Sequence, residues 1–253
     1  VDQHAKIYTK SFSLHIRWED DTEAQRDCDN FQSFLAAFGF SPPSIVTLET
    51  KDWTHGWTVF EKTTSMLREA FKFSTQGRCI CFIHYAGHSV VGPNNTIRFT
   101  SALGTRSLDA DWLITTFSTD EGGLPYDAPV DIIYVLDCRY SFLRTKSAQP
   151  VSRSVDVLAA IDTNAPRAFV PDQRVSFSAK LAEKVTDLKE TGRQTIDMAE
   201  LIAMLRTKSS QRKPTHAVPL GVSSACLSFP GSSAPRAYPA DPPALRAVFS
   251  IEV

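Results

Sequence analysis

The sequence predicts an α/β protein: a three-layer α/β/α sandwich with a mostly parallel central sheet. Three observations lead there. Short segments with an apolar period of two recur between longer segments with helical spacing. Two of the short segments, Arg78 to Tyr85 and Val130 to Leu136, are apolar on both faces, as strands covered by helices on both sides must be. Strand followed by helix then repeats along the chain, which within one sheet means parallel crossovers.

Each element has its own justification. Phe12, Leu14, Ile16 and Trp18 alternate with Ser11, Ser13, His15 and Arg17, a half-buried strand that ends in Glu19, Asp20 and Asp21. From Thr22 to Phe38 the residues Phe31, Phe34, Leu35 and Phe38 recur at helical spacing, and Gly39 stands where a C-terminal cap belongs. Ser44 to Glu49 alternates again. After a turn region at Gly56, Val59, Thr63, Met66, Leu67, Ala70 and Phe71 mark a second amphipathic helix. Between the two central strands, a hairpin is expected around Pro93, Asn94 and Asn95 and a short helix near Asp109 to Phe117. Arg144 to Arg153 is polar and basic and reads as an exposed loop. Val155 to Ile161 is a further strand, followed by helices at about 175–189 and 195–207 and a strand near 216–228. Pro230 to Pro243, rich in Pro, Ser and Ala, reads as a surface linker, and Ala244 to Val253 alternates as a final strand.

Composition narrows the function classes. A chain of 253 residues can bury roughly three quarters of the surface it exposes when unfolded, so the bulk is folded. With 27 basic and 28 acidic side chains there is no long-range field to hold a polyanion, and the longest basic stripe is Gln211, Arg212 and Lys213; nucleic acid is not an expected partner. No apolar run approaches the roughly 18 residues of a membrane span, and Val1 to His4 does not open a signal peptide. The expectation is an intracellular protein, cytoplasmic or nuclear, without a membrane partner. A first residue of Val rather than Met suits a domain cut from something longer, whose other domains would be partners. Cys28, Cys79, Cys81, Cys138 and Cys226, an odd count without framework spacing, suit reduced thiols. Cys79 and Cys81 share one strand face while His84 lies on the other, so with His88 they form no zinc cage, and no metal or other cofactor is expected.

In a parallel sheet, ligands and catalytic groups gather beyond the carboxyl ends of the central strands. Two segments lie there: His84 to Ser89, and Leu136 to Ser141. His88 and Cys138, 50 residues apart and each closing a buried strand, have the spacing a Cys/His dyad needs.

At these residues the chain resembles the caspase-like clan of cysteine peptidases, in particular its fungal metacaspase-related branch. The resemblance runs through Trp18 to Asp21, Ile83 to His88, Val135 to Cys138, Arg153 to Ala160, and Ser176 to Ser178. It implies a caspase-like fold in one domain over 1–253: a large-subunit-like part at 1–142, an exposed interdomain-type loop at 143–154, and a small-subunit-like part at 155–253. It also implies roles. The histidine matching His88 would activate a cysteine at the neighbouring strand end, backbone N–H groups would hold the oxyanion, and an acid two positions before the nucleophile would line a pocket for a basic side chain. Acidic clusters bind calcium in some metacaspases, which makes Glu19, Asp20 and Asp21 the place to look for that ion.

The chain departs from that pattern at the centre. With Asp137 as the pocket acid, Cys138 takes the intermediate position and Arg139 the nucleophile's. Ser89 replaces the glycine that usually follows the histidine and lets the backbone approach the oxyanion. Two such losses on an intact scaffold imply a pseudoprotease, acting as a protein-interaction or regulatory module in fungal-type signalling, immunity or regulated cell death. Asp137 and Arg139 would leave the same strand face and pair. The competing register makes Cys138 the nucleophile of an active endopeptidase with His88, and it needs a bulge to turn that thiol toward the histidine.

Overall fold

Strand alternation and covered central strands build a six-stranded sheet in the computed structural model, which describes residues 6–92, 96–119, 122–139, 153–161, 176–208, 213–221 and 223–231. The strands are β1 (Lys10–Trp18), β2 (Ser44–Leu48), β3 (Cys79–Ala86), β7 (Val130–Arg139), β8 (Val155–Ile161) and β10 (Thr215–Leu220), in spatial order β10-β8-β7-β3-β1-β2. All pairs are parallel except β10 with β8. Every residue of β3 is buried, as its apolar composition requires.

Helices cover both faces. On one lie α2 (His55–Phe73), α3 (Ala110–Ser118) and a small antiparallel sheet of β4 (His88–Val91), β5 (Ile97–Thr100) and β6 (Ser107–Asp109). On the other lie α1 (Ala24–Ala37), α4 (Phe177–Glu190) and α5 (Met198–Lys208), with the two-stranded pair of β9 (Thr195–Asp197) and β11 (Cys226–Ser228). The result is an α/β sandwich of three layers, as expected. Phe31, Phe34 and Leu35 of α1 are wholly buried against Ile80 and Phe82, a contribution of about 1.5–3 kcal/mol for each side chain. Gly39 adopts φ 75°, and its N–H closes α1 on the Ala36 carbonyl, the capping role its position suggests.

Several expectations change. The strand near 216–228 is two strands, β10 and β11, in different sheets, separated at Gly221 with φ 99°. The helix placed at 195–207 begins only at Met198, after β9. Phe71, assigned to the buried stripe of α2, is 43% exposed. Arg153 and Ser154 are buried instead of exposed, because β8 enters the sheet immediately after them and the Ser154 N–H donates to buried Asp131. The expected hairpin at Pro93 to Asn95, the expected loop from Arg144 up to Arg153, the expected linker beyond Gly231 and the expected strand Ala244 to Val253 lie outside the described residues.

Candidate functional site

The carboxyl ends of β3 and β7 lie side by side, with Tyr85 opposite Leu136 and Ala86 opposite Asp137. The chain leaves β3 through Gly87 at φ 150°, a conformation that favours glycine. A Cβ there would stand 2.9 Å from the Tyr85 hydroxyl and 3.1 Å from Asp21 Oδ2. His88 then starts β4. Its carbonyl accepts the Tyr85 hydroxyl at 2.7 Å, and its Nδ1 lies 3.2 Å from Asp21 Oδ2. The imidazole is half-exposed and the carboxylate nearly buried. The Tyr85 ring stacks on Phe99 at 3.7 Å between centroids, and burial, reinforced by Cys138 and Asp21, pushes its phenol well above the usual range. Tyr85 is therefore a permanent donor that fixes the backbone of His88.

The acidic run after β1 positions this corner. The Thr50 N–H and hydroxyl both donate to Glu19 at 2.7 Å, and they hold its carboxyl below the usual range. Asp20 accepts the backbone N–H groups of Ala102 and Leu103. Asp21 accepts the Glu23 N–H and engages His88. Three successive carboxylates thus tie the end of β1 to Thr50, to Ala102 and Leu103, and to His88, and no cluster of three or more His, Cys, Asp or Glu able to hold a metal ion occurs among the described residues. Sequence reading missed the Asp21–His88 contact because it joins residues 67 positions apart.

Alternation along β7 separates the other two candidates. Ile132, Tyr134, Leu136 and Cys138 face the α2/α3 side, and Ile133 and Val135 face α1 and α4. Cys138 is 2% exposed and packs in the cluster that contains Tyr85 and Leu136. Asp137 points the opposite way. Its carboxylate accepts the N–H groups of Phe177 and Ser178 and the Ser178 hydroxyl at 2.8–3.1 Å. These are unsatisfied donors of the first turn of α4, where negative charge is favoured by the helix dipole. The resemblance assigns Asp137 to a substrate pocket; in the structure its carboxylate is engaged beneath α4. Between Leu136 and Arg139 the pairing with β8 shifts by one residue, a bulge at the point where the alternative register needs one. Arg139 ends β7 opposite Ile161, and its side chain, with the expected Asp137 pair, lies outside the described residues. Ser89 is half-buried in β4 opposite Phe99.

A pair that sequence reading did not anticipate lies deeper in the same strands. His15 and His84 are register partners on β1 and β3, both 0% exposed, with Nδ1 atoms 2.8 Å apart and the His84 ring 4.3 Å from Phe31. One Nδ1 must carry a proton and the other a lone pair, and burial of both rings favours their neutral forms. The sequence matches none of the protein-family models and no curated protein. No helix among the described residues is long and apolar enough to cross a membrane.

Proposed function

We propose that the chain is a caspase-like, metacaspase-related domain without peptidase activity, acting as a protein-interaction or regulatory module. The burial of Cys138 carries this reading. A thiol that is 2% exposed and packed among apolar side chains is a small core residue and offers no attack path to a peptide carbonyl. The residue aligned with the nucleophile is Arg139, whose guanidinium has no lone pair for attack. The strand order, with the His88 and Cys138 segments ending adjacent parallel strands, supports the family reading that the motifs suggest.

A second reading, an active endopeptidase using His88 and Cys138, is favoured by one observation. Cys138 lies on the sheet face that carries Tyr85, and Tyr85 binds the backbone of His88. One experiment separates the two. The purified chain is assayed on peptides with Arg, Lys or Asp before the scissile bond, with and without millimolar calcium. The expected result is no turnover in either condition. Turnover that is abolished by Cys138→Ala would replace the first reading with the second.

A further inference from the structure

His55 opens α2, and both of its ring nitrogens face backbone carbonyls. Nδ1 lies 3.2 Å from the Asp52 carbonyl oxygen, on the loop that precedes the helix. Nε2 lies 2.9 Å from the carbonyl oxygen of Ser107 on β6, 52 residues away. Both distances lie within the range of N–H···O hydrogen bonds. A carbonyl oxygen can only accept, and a neutral imidazole carries a single N–H. The neutral ring therefore serves one of these carbonyls, and the imidazolium serves both. With a neutral ring, a nitrogen lone pair faces an oxygen lone pair at one of the two contacts.

The surroundings of the ring pull in both directions. Asp52 on its own loop favours the cation; the N–H and hydroxyl of Thr54, and then His55, hold that carboxyl below its usual range. The wholly buried Trp18 ring on β1 lies 5.1 Å from the imidazole, within reach for a cation–π contact. Partial burial and the positive end of the α2 dipole oppose the charge. On the neighbouring strands the flanking charges are Glu19 after Trp18, and Arg106 and Asp109 on either side of Ser107 and Leu108. One loop depends on the outcome. Glu19 and Arg106 hold Thr50, His55 holds Asp52, and Trp53 between these anchors is 79% exposed with the Arg106 guanidinium 3.6 Å from its ring.

We propose that His55 is a proton-operated clamp: its protonated ring ties the loop at 50–54 and the start of α2 to β6, and loss of that proton to water releases the Asp52 carbonyl, the longer of the two contacts, and with it the placement of Trp53. The clamp uses neither His88 nor Cys138, so it stands whichever reading of the peptidase site holds. The test is a titration of the ¹⁵N-labelled chain carrying fluorinated tryptophan over about pH 5 to 8, the span in which imidazoles change charge. Both His55 ring nitrogens should carry protons at the acid end and only one at the other. The Trp53 resonance should move along the same curve, and release of a charge-assisted hydrogen bond should raise the open population of the loop about tenfold, read as faster acrylamide quenching of Trp53. His55→Phe, which keeps a ring against Trp18 but donates nothing, should abolish the pH dependence at Trp53 and leave the Trp112 resonance in place. A His55 ring that keeps one protonation state across the range would overturn the proposal, and that measurement needs no variant. A Trp53 resonance that ignores pH, or that follows it equally in His55→Phe, would overturn it as well.

Discussion

At the scale of single residues, the buried His15–His84 pair makes the fold acid-sensitive. Burial, and then the Arg17 charge, lower His15 from 6.5 to about 4; burial, and then His15, hold His84 well below its usual value. In the unfolded chain both titrate near 6.5. A depressed native pKa means that the native state prefers the neutral base. Their stabilising effect is complete above pH 6.5 and is lost as pH falls toward 4 and below. For His15 alone the loss by pH 4 is about 3 kcal/mol, at about 1.4 kcal/mol per pH unit. Urea midpoints measured between pH 7.5 and 4.5 should fall accordingly, and the H15L/H84L double variant should flatten the decline. His84→Leu alone should be less stable than the double variant at neutral pH, because it leaves the His15 nitrogen without its partner. A wild-type midpoint independent of pH over this range would refute the account. Asp137 is the second decisive residue. It satisfies two first-turn N–H groups and a hydroxyl of α4, so Asp137→Ala should lower unfolding free energy by about 2–4 kcal/mol. A loss below about 0.5 kcal/mol, the range of ordinary surface substitutions, would show that α4 is capped by Ser176 alone.

At the scale of elements, Gly87 joins the central sheet to the small sheet. Its φ of 150° and the close approach of the Tyr85 hydroxyl and the Asp21 carboxylate leave no room for a side chain. Gly87→Ala should therefore cost about 1–3 kcal/mol and displace His88 from Asp21, visible as a change in the His88 imidazole resonances. A thermal midpoint and imidazole spectrum matching wild type would contradict this. The elements themselves were largely legible in the sequence. β1, β3, β7 and β8 carry long apolar signals, and tertiary packing agreed with each of them. The three-residue strands β6 and β9 were not legible, since three residues hold no period and their pairing partners are set by tertiary contacts. The site was half legible. Motif order put His88 and Cys138 at adjacent strand ends, and alternation alone shows that Asp137 and Cys138 leave opposite faces. What single-sequence reading could not supply was which distant group each acid meets: Glu19 with Thr50, Asp20 with Ala102 and Leu103, Asp21 with His88, and Asp137 with α4.

At the scale of the whole molecule, the parts that precede residue 140 and follow residue 152 share one core. β8 is inserted between β7 and β10, so among the described residues β10 joins the rest of the sheet through it. Val155, Val157 and Ala159 pack in the same cluster as Leu14 and Ile83, and Phe177, Leu181 and Val185 of α4 pack with Phe31 and Phe34 of α1. At the opposite end of the sheet, buried Asp131 gathers Lys6 at 3.1 Å, Arg78 at 2.9 Å, the Tyr8 hydroxyl at 2.8 Å and the Ser154 N–H at 2.6 Å, joining four separate chain segments. Removing one member of such a buried charge cluster typically costs about 3–5 kcal/mol, so separating the halves would carry that loss together with the exposure of both apolar clusters. Cutting the backbone within 143–152 breaks none of these contacts. With a site for a sequence-specific protease placed between Thr145 and Gln149, the nicked protein should elute as one species on size exclusion in native buffer and as two fragments only in denaturant. Its cooperative unfolding should remain a single transition, at a lower midpoint, because the cut raises the entropy of the unfolded chain. Cleavage after Arg153 should not occur in the native state, since Arg153 and Ser154 are both buried. Fragments that separate in native buffer would mean that the shared clusters and the Asp131 junction do not hold the molecule together, and that its two parts are independent domains.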